Sequence, residues 1–245
     1  MPRFFVESDN IKDDVITLYG DDAGHISRVL RSEKGEVLTV CDGTGMDYEA
    51  EITDISEKEI KLKILSSTFT VSEPSVKITL YQSLPKGDKM ELIIQKCVEL
   101  GVSKIVPVNS ERCIVKLDHK KEKKKLERWR KISESAAKQS GRGIVPEIGE
   151  VMSFSNAVKE AENADKAAIF YELEEERGLK KFLDEGVENP KTMAVFVGPE
   201  GGFAVEETEL AKNAGFDCLT LGKRILRTET AGMCAVANIL FYLDM

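Results

Sequence analysis

The chain has 245 residues, 42% of them hydrophobic and 32% charged, with a net charge of −8; it is long enough to bury one large core or two small ones. No apolar run reaches the 18 residues of a membrane span, since the longest, Ala231–Leu243, is broken by Asn238, and MPRFFVESDN has no hydrophobic signal core. Five cysteines without CxxC spacing and only two histidines argue against a disulfide framework, a Cys-rich zinc site or His-based metal catalysis, and for a cytoplasmic protein without a metal.

Short β-type runs are expected at Arg3–Val6, Glu36–Cys41, Tyr48–Ile55 and Glu59–Leu65, the last two alternating apolar and polar residues with period two. Asp42-Gly43-Thr44-Gly45 carries the turn chemistry of a hairpin loop. One short helix fits Asp21–Arg31, with Ile26, Val29 and Leu30 on one face. Together these predict a small, mostly antiparallel β-barrel or sheet with one helix, and Ser72-Glu73-Pro74-Ser75 reads as the linker that ends it.

From there strands and helices alternate. Strands are expected at Val76–Gln82, Lys104–Val108, Ala167–Tyr171, Thr192–Val197 and Asp217–Leu221. Helices are expected at Asp88–Leu100, His119–Gln139, Ser155–Asn163, Leu179–Glu185, Val205–Ala214 and Glu229–Leu243. Asp88 suits an N-cap and Gly101 a C′ position. This pattern predicts an α/β domain built on an open parallel sheet, with ligands beyond the carboxyl ends of the strands.

Charge is unevenly spread. Arg112 to Arg142 holds twelve Lys and Arg against Asp118, Glu122, Glu127 and Glu134, which leaves the rest of the chain at −16. Such a stretch is either a polyanion-binding surface or a solvated lysine-rich helix face.

Two loops near the C-terminus carry the chemistry. Gly198-Pro199-Glu200-Gly201-Gly202-Phe203 follows one strand; it is neither a dinucleotide fingerprint nor a P-loop. Gly222-Lys223-Arg224-Ile225-Leu226-Arg227 follows the next and leads through Thr228, Glu229, Thr230 and Ala231 into the last helix, whose first N–H groups favour an anion.

GPEGGF followed by LGKRILRTETA closely resembles the RsmE family, uridine-N3 methyltransferases of bacterial 16S ribosomal RNA within the SPOUT class. The resemblance also takes in RFFV, HISRVLR, LPKGDKMELIIQKCVELGV and ERWRKISESAAKQSGR, and so runs along the whole chain. It implies a PUA-like RNA-binding β-barrel over 1–72 and, over 73–245, a parallel-sheet α/β domain tied in a trefoil knot. The knot would hold S-adenosylmethionine, released as S-adenosylhomocysteine, at Gly198, Glu200, Gly201, Leu221, Gly222, Ile225, Leu226, Thr230 and Ala231. A homodimer is implied too, acting on 16S rRNA in the 30S subunit.

The reaction so implied needs the methyl group aligned with N3, removal of the N3 proton, and stabilisation of charge on the flanking carbonyl oxygens. Arg227 is the first choice for that last role and Arg224 the second, while Glu229 is a candidate proton acceptor beside a main-chain carbonyl or water. Arg112, Lys116, Lys138 and Arg142, with Arg3, Arg28 and Arg31 from the first domain, are the candidates for RNA phosphate. Two other readings fit: a knotted methyltransferase aimed at a ribose 2′-hydroxyl or a tRNA base, and an RNA-binding factor that keeps the fold without catalysis.

Overall fold

The computed structural model describes residues 3–243, so the outermost ends of the expected domains, residues 1, 2, 244 and 245, lie outside it. Two compact units separate. One takes in the chain up to Glu73 together with Ala137–Val145, and the other Pro74–Ala136 and the chain from Pro146 onward.

The first unit is a six-stranded sheet of β1 (Arg3–Phe5), β2 (Ile11–Lys12), β3 (Val15–Tyr19), β4 (Val37–Cys41), β5 (Met46–Ile55) and β6 (Glu59–Phe69), in the order β1-β4-β5-β6-β3-β2. β1 runs parallel to β4 and every other pairing is antiparallel. Alternation puts Ile60 and Leu62 of β6 inside with Ile52 of β5 and Val40 of β4. Phe4 of β1 and Ile16 and Leu18 of β3 share that core although their strands stand near opposite ends of the order, so the sheet curls around it. The expected hairpin loop joins β4 to β5, where the Asp42 carboxylate accepts the N–H groups of Thr44 at 2.8 Å and Met46 at 3.2 Å. The single helix begins as α1 (Gly20–Gly24) and widens to π winding over His25–Leu30, ending at Arg31 with φ +55°.

The expected linker is not a free tether. Glu73 accepts from the Arg142 guanidinium at 2.6 Å and from the backbone N–H groups of Gly143 and Ile144 at 3.0 and 3.2 Å.

The second unit is a parallel sheet of β7 (Lys77–Ser83), β8 (Lys104–Asn109), β9 (Glu147–Ile148), β10 (Met152–Ser153), β11 (Lys166–Phe170), β12 (Thr192–Val197) and β13 (Asp217–Leu219). Its order is β10-β8-β7-β12-β11-β13, with the short β9 also on β8. The helices are α2 (Lys89–Leu100), α3 (His119–Ser140), α4 (Phe154–Ala161), α5 (Leu179–Asp184), α6 (Val205–Asn213) and α7 (Thr228–Leu243). On one face of the sheet, Phe154 of α4, Ala211 of α6 and Phe203 pack on Tyr81, Phe196 and Val106, with the Tyr81 and Phe196 rings stacked at 4.4 Å. Ile93, Ile94, Cys97 and Val98 of α2 are buried, as are Val236 and Ile239 of α7, and these two helices pack together. Gly101 ends α2 as expected, donating its N–H to Cys97 and Val98. Asp88 stands at the N-cap, but its carboxylate makes no capping bond; only its carbonyl takes part, accepting from Glu91.

Candidate active site

Two loops leave the carboxyl ends of neighbouring parts of the sheet, from β12 and β13. The first is pinned at both sides. Phe203 is fully buried against Phe154, their ring centroids 5.4 Å apart. Glu207, in the first turn of α6, accepts the N–H groups of Ala204 at 3.0 Å and Glu111 at 2.8 Å. Between these anchors Gly202 turns back to the Pro199 carbonyl at 3.0 Å with φ +67°, and a Cβ there would overlap the Glu172 carboxylate, so two constraints select glycine.

The second loop starts at Thr220, whose N–H donates to Arg177 and whose hydroxyl exchanges hydrogen bonds with the backbone of Gly222. A third segment, which follows β11, closes the side: Tyr171 donates to Leu219, and the Glu174 carboxylate accepts from the N–H groups of Glu176 and Arg177, both at 3.0 Å. Those two bonds hold the Glu174 carboxyl below the usual carboxylate range.

Together the three segments enclose a cleft of about 680 Å³. Gly198, Glu200, Leu221, Gly222, Arg224, Ile225, Leu226, Arg227 and Ala231 all line it. Three other expected site residues do not. Gly201 lies on the outside of its loop, its carbonyl accepting from Arg112 at 3.0 Å; Thr230 is exposed on α7; Glu229 is partly buried with its carboxylate 3.5 Å from the Lys89 ammonium.

Lys89, which sequence reasoning passed over, also lines the cleft and ties α2 to the first loop through Glu200 at 2.8 Å. Burial would raise the Glu200 carboxyl, but the Lys89 ammonium and backbone N–H groups outweigh it and hold it below its ordinary value. The same hydrogen bond, donated to Glu200, pushes the Lys89 ammonium up. Glu172, Glu174 and Glu175 bring an acidic wall to the cleft from the ELEEER run, which lies between the strand expected at Ala167–Tyr171 and the helix expected at Leu179–Glu185 and to which sequence reasoning assigns no role. Lys89 stands inside the KGDK stretch, with nothing in its spacing to mark it from its neighbours.

The basic candidates divide. In the first unit Arg3 pairs with Asp47 at 2.6 Å and donates to the Gly141 carbonyl, and Lys138 pairs with Asp22 at 3.1 Å. Arg142 is 3% exposed, its guanidinium spent on Glu73, which places it in the interior of that unit. Arg28 and Arg31 are exposed, and neither forms an ion pair among the described residues. Lys116 is exposed in the second unit, and Arg112 is exposed while holding Gly201. Along α3, Arg128 pairs with Glu91 and Arg130 with Glu150, and Lys125 lies 5.7 Å over the buried Trp129 ring.

Comparison with known proteins gives two family matches: an RNA methyltransferase domain over residues 72–240 and an RNA methyltransferase PUA domain over residues 18–65. Ribosomal RNA small subunit methyltransferase E of Bacillus subtilis (strain 168) is 35% identical over 252 residues, covering 100% of this chain and 98% of its own. The protein of the same name from Aquifex aeolicus (strain VF5) is 36% identical over 214 residues, covering 87% and 89%. Among solved structures, ribosomal RNA small subunit methyltransferase E from Neisseria gonorrhoeae, bound to S-adenosyl methionine, superposes with a TM-score of 0.86 at 35% identity over 99% of this chain and 98% of that one.

Proposed function

The chain belongs to the family of ribosomal RNA small subunit methyltransferase E, a PUA domain followed by a parallel, knotted α/β methyltransferase domain, and from that premise we propose that it methylates N3 of a specific uridine in the 16S rRNA of the 30S subunit, with S-adenosylmethionine as donor. One observation carries the reading: the two loops singled out in the sequence meet at one cleft, and both candidate catalytic arginines line it.

The cleft suits the donor. Its volume is that of a small-molecule site, and it joins apolar Leu221 and Leu226 to the acidic wall of Glu172, Glu174 and Glu175. That pairing matches a ligand with an apolar-faced base at one end and cationic centres at the other. When bound, S-adenosylmethionine supplies an electrophilic methyl group on sulfur and leaves as S-adenosylhomocysteine. Gly198, Glu200, Leu221, Gly222, Ile225, Leu226 and Ala231 would hold it, with Gly201 and Thr230 supporting from outside the cleft.

Arg227 and Arg224 both line the cleft; Arg227 is assigned the fixed positive charge that meets the uridine carbonyl oxygens as the N3 proton leaves, and Arg224, three residues before it, is the second choice for that role. Glu229 follows Arg227 into α7, but its carboxylate stands off the cleft lining beside Lys89, so a main-chain carbonyl or water at the cleft is the alternative acceptor for that proton. For RNA, the exposed Arg28 and Arg31 of the PUA-like domain and Arg112 and Lys116 of the catalytic domain are the phosphate contacts; Arg3, Lys138 and Arg142 are engaged in ion pairs of their own unit.

The active species is a homodimer in the cytoplasm, where 30S subunits are found. Supporting this, Phe241 near the end of α7 is 68% exposed and Ile225 is 87% exposed, apolar surface suited to a second copy. Among the described residues no helix is long and apolar enough to cross a membrane.

The test is incubation with tritiated S-adenosylmethionine and 30S subunits lacking the modification, followed by nucleoside analysis of the 16S RNA. Label in 3-methyluridine is the expected result. Label in a ribose-methylated or other nucleoside would overturn the substrate, and absence of both label and donor binding would favour a non-catalytic RNA-binding factor.

A further inference from the structure

Gln82, at the carboxyl end of β7, is completely buried. Its amide nitrogen donates to the Thr228 hydroxyl at 2.9 Å, to the Ser83 carbonyl at 3.1 Å and, at a longer 3.4 Å, to the Val197 carbonyl. Two of those partners are carbonyls, which only accept, so the nitrogen and not the oxygen must face them. Thr228 is 5% exposed and passes its own hydroxyl proton to the Gly198 carbonyl at 2.6 Å. A single directed chain of hydrogen bonds therefore joins the end of β7, the first residues of the loop after β12 and the first residue of α7.

The chain has a cost that an apolar residue would avoid. Among the described residues Gln82 Oε1 has no hydrogen-bond partner; it faces Gly232 on α7, where a Cβ would stand 3.0 Å away. A methionine would fill similar space without leaving a buried acceptor unsatisfied. What glutamine offers in exchange is the set of bonds its nitrogen makes, and all but one of these lead to the two loops of the cleft.

We propose that Gln82 and Thr228 are positioning residues: a buried polar latch that sets the spacing of the two loops holding the methyl donor. The inference rests on the cleft being the S-adenosylmethionine site. Because the latch acts through the main chain of Val197 and Gly198 and through the start of α7, it bears on donor affinity and not on RNA affinity.

Thr228→Val keeps the shape of the side chain and removes its hydroxyl, whereas Thr228→Ser keeps the hydroxyl. Calorimetric titration of the full chain with S-adenosylmethionine and with S-adenosylhomocysteine reads the effect, and circular dichroism confirms folding. Thr228→Val and Gln82→Met are each expected to lose about tenfold in affinity for both compounds, the size of effect that loss of a buried hydrogen bond produces. The KM for the donor should rise in step while the KM for 30S subunits stays put, and Thr228→Ser should recover most of the loss. Since both substitutions break one chain, the double variant should bind no worse than the weaker single variant.

A folded Thr228→Val protein that binds the donor as the wild type does would overturn the latch, as would fully additive losses in the double variant. Should Thr228→Val not fold, Gln82→Met carries the same comparison. Wild-type protein that binds neither compound would overturn the reading of the cleft, and the latch with it; wild-type binding beside indifferent variants would overturn the latch alone.

Discussion

Arg227 is held by its backbone and not by its side chain. Its carbonyl accepts the Ala231 N–H at 2.8 Å and so opens α7, while the guanidinium remains exposed at the cleft. Arg227→Ala should accordingly fold normally and bind S-adenosylmethionine nearly as the wild type does, yet lose about a hundredfold or more in single-turnover methylation, as removal of a charge-stabilising donor does. Wild-type turnover in that variant would remove Arg227 from the mechanism. Lys89 and Glu200 make a prediction of a different kind. A carboxyl held low contributes its share above the ordinary carboxylate range and loses it as pH falls through the lowered value; an ammonium held high contributes below its ordinary range and loses its share only as pH rises past the raised one. Their pair thus survives the whole neutral range, and donor affinity should be flat there, declining in acid as Glu200 takes up a proton and again in strong alkali as Lys89 gives one up. Lys89→Met should weaken donor binding about threefold at neutral pH, the modest effect of a part-exposed ion pair, and titration at several pH values checks both. The arginines were legible because they directly follow a recognisable strand. Lys89 was not, because its relation to Glu200 spans 111 residues of sequence.

At the scale of elements, regular alternation was the dependable guide. The run Glu59 to Ile64 emerges with Ile60 and Leu62 inside, and the apolar stripe of α2 faces inward. The five-residue β3 escaped, although Ile16 and Leu18 alternate with more open positions, because so short a run next to Asp13 and Asp14 resembles a turn. The lysine run of α3 is a solvated surface above the buried Leu126, Trp129 and Ser133; Lys121 pairs with Asp118 beside it, and it is Arg128 and Arg130 farther along that pair with Glu91 of α2 and with Glu150. Changing Lys120, Lys121, Lys123, Lys124 and Lys125 to Gln should therefore leave the affinity for 30S subunits little altered. The pair Arg28→Ala and Arg31→Ala should instead flatten the dependence of log affinity on log salt by about two, one for each phosphate no longer neutralised. Binding assays at several salt concentrations separate the two sets, and the opposite ranking would return the RNA surface to α3.

At the scale of the whole molecule, the sequence pattern predicts a change from short strands to alternating strands and helices and orders the longer elements, but not β2, β3, β9 or β10, nor the path of the chain between the two units. The segment 137–145 joins the first unit through partners up to 138 residues distant, Arg3 with Gly141 among them, and separations of that kind leave no trace in local periodicity. Threading of a knot is equally invisible to any window-based reading, since it depends on what passes through what. Assembly belongs to this scale too. Under the proposed homodimer, wild-type protein should sediment as a pair of chains in analytical ultracentrifugation and Phe241→Glu as a single chain, because a charge replaces exposed apolar surface near the end of α7.

The excursion of 137–145 into the first unit also bears on how such a protein can be altered by recombination. A single crossover after residue 73 would graft a foreign N-terminal domain onto a chain that still supplies Lys138 and Arg142, with their partners Asp22 and Glu73 both replaced. An N-terminal module is exchangeable here only when the nine residues that complete it, encoded some sixty codons downstream, travel with it. The first unit is thus inherited intact only when two stretches separated by the start of the second unit pass on together.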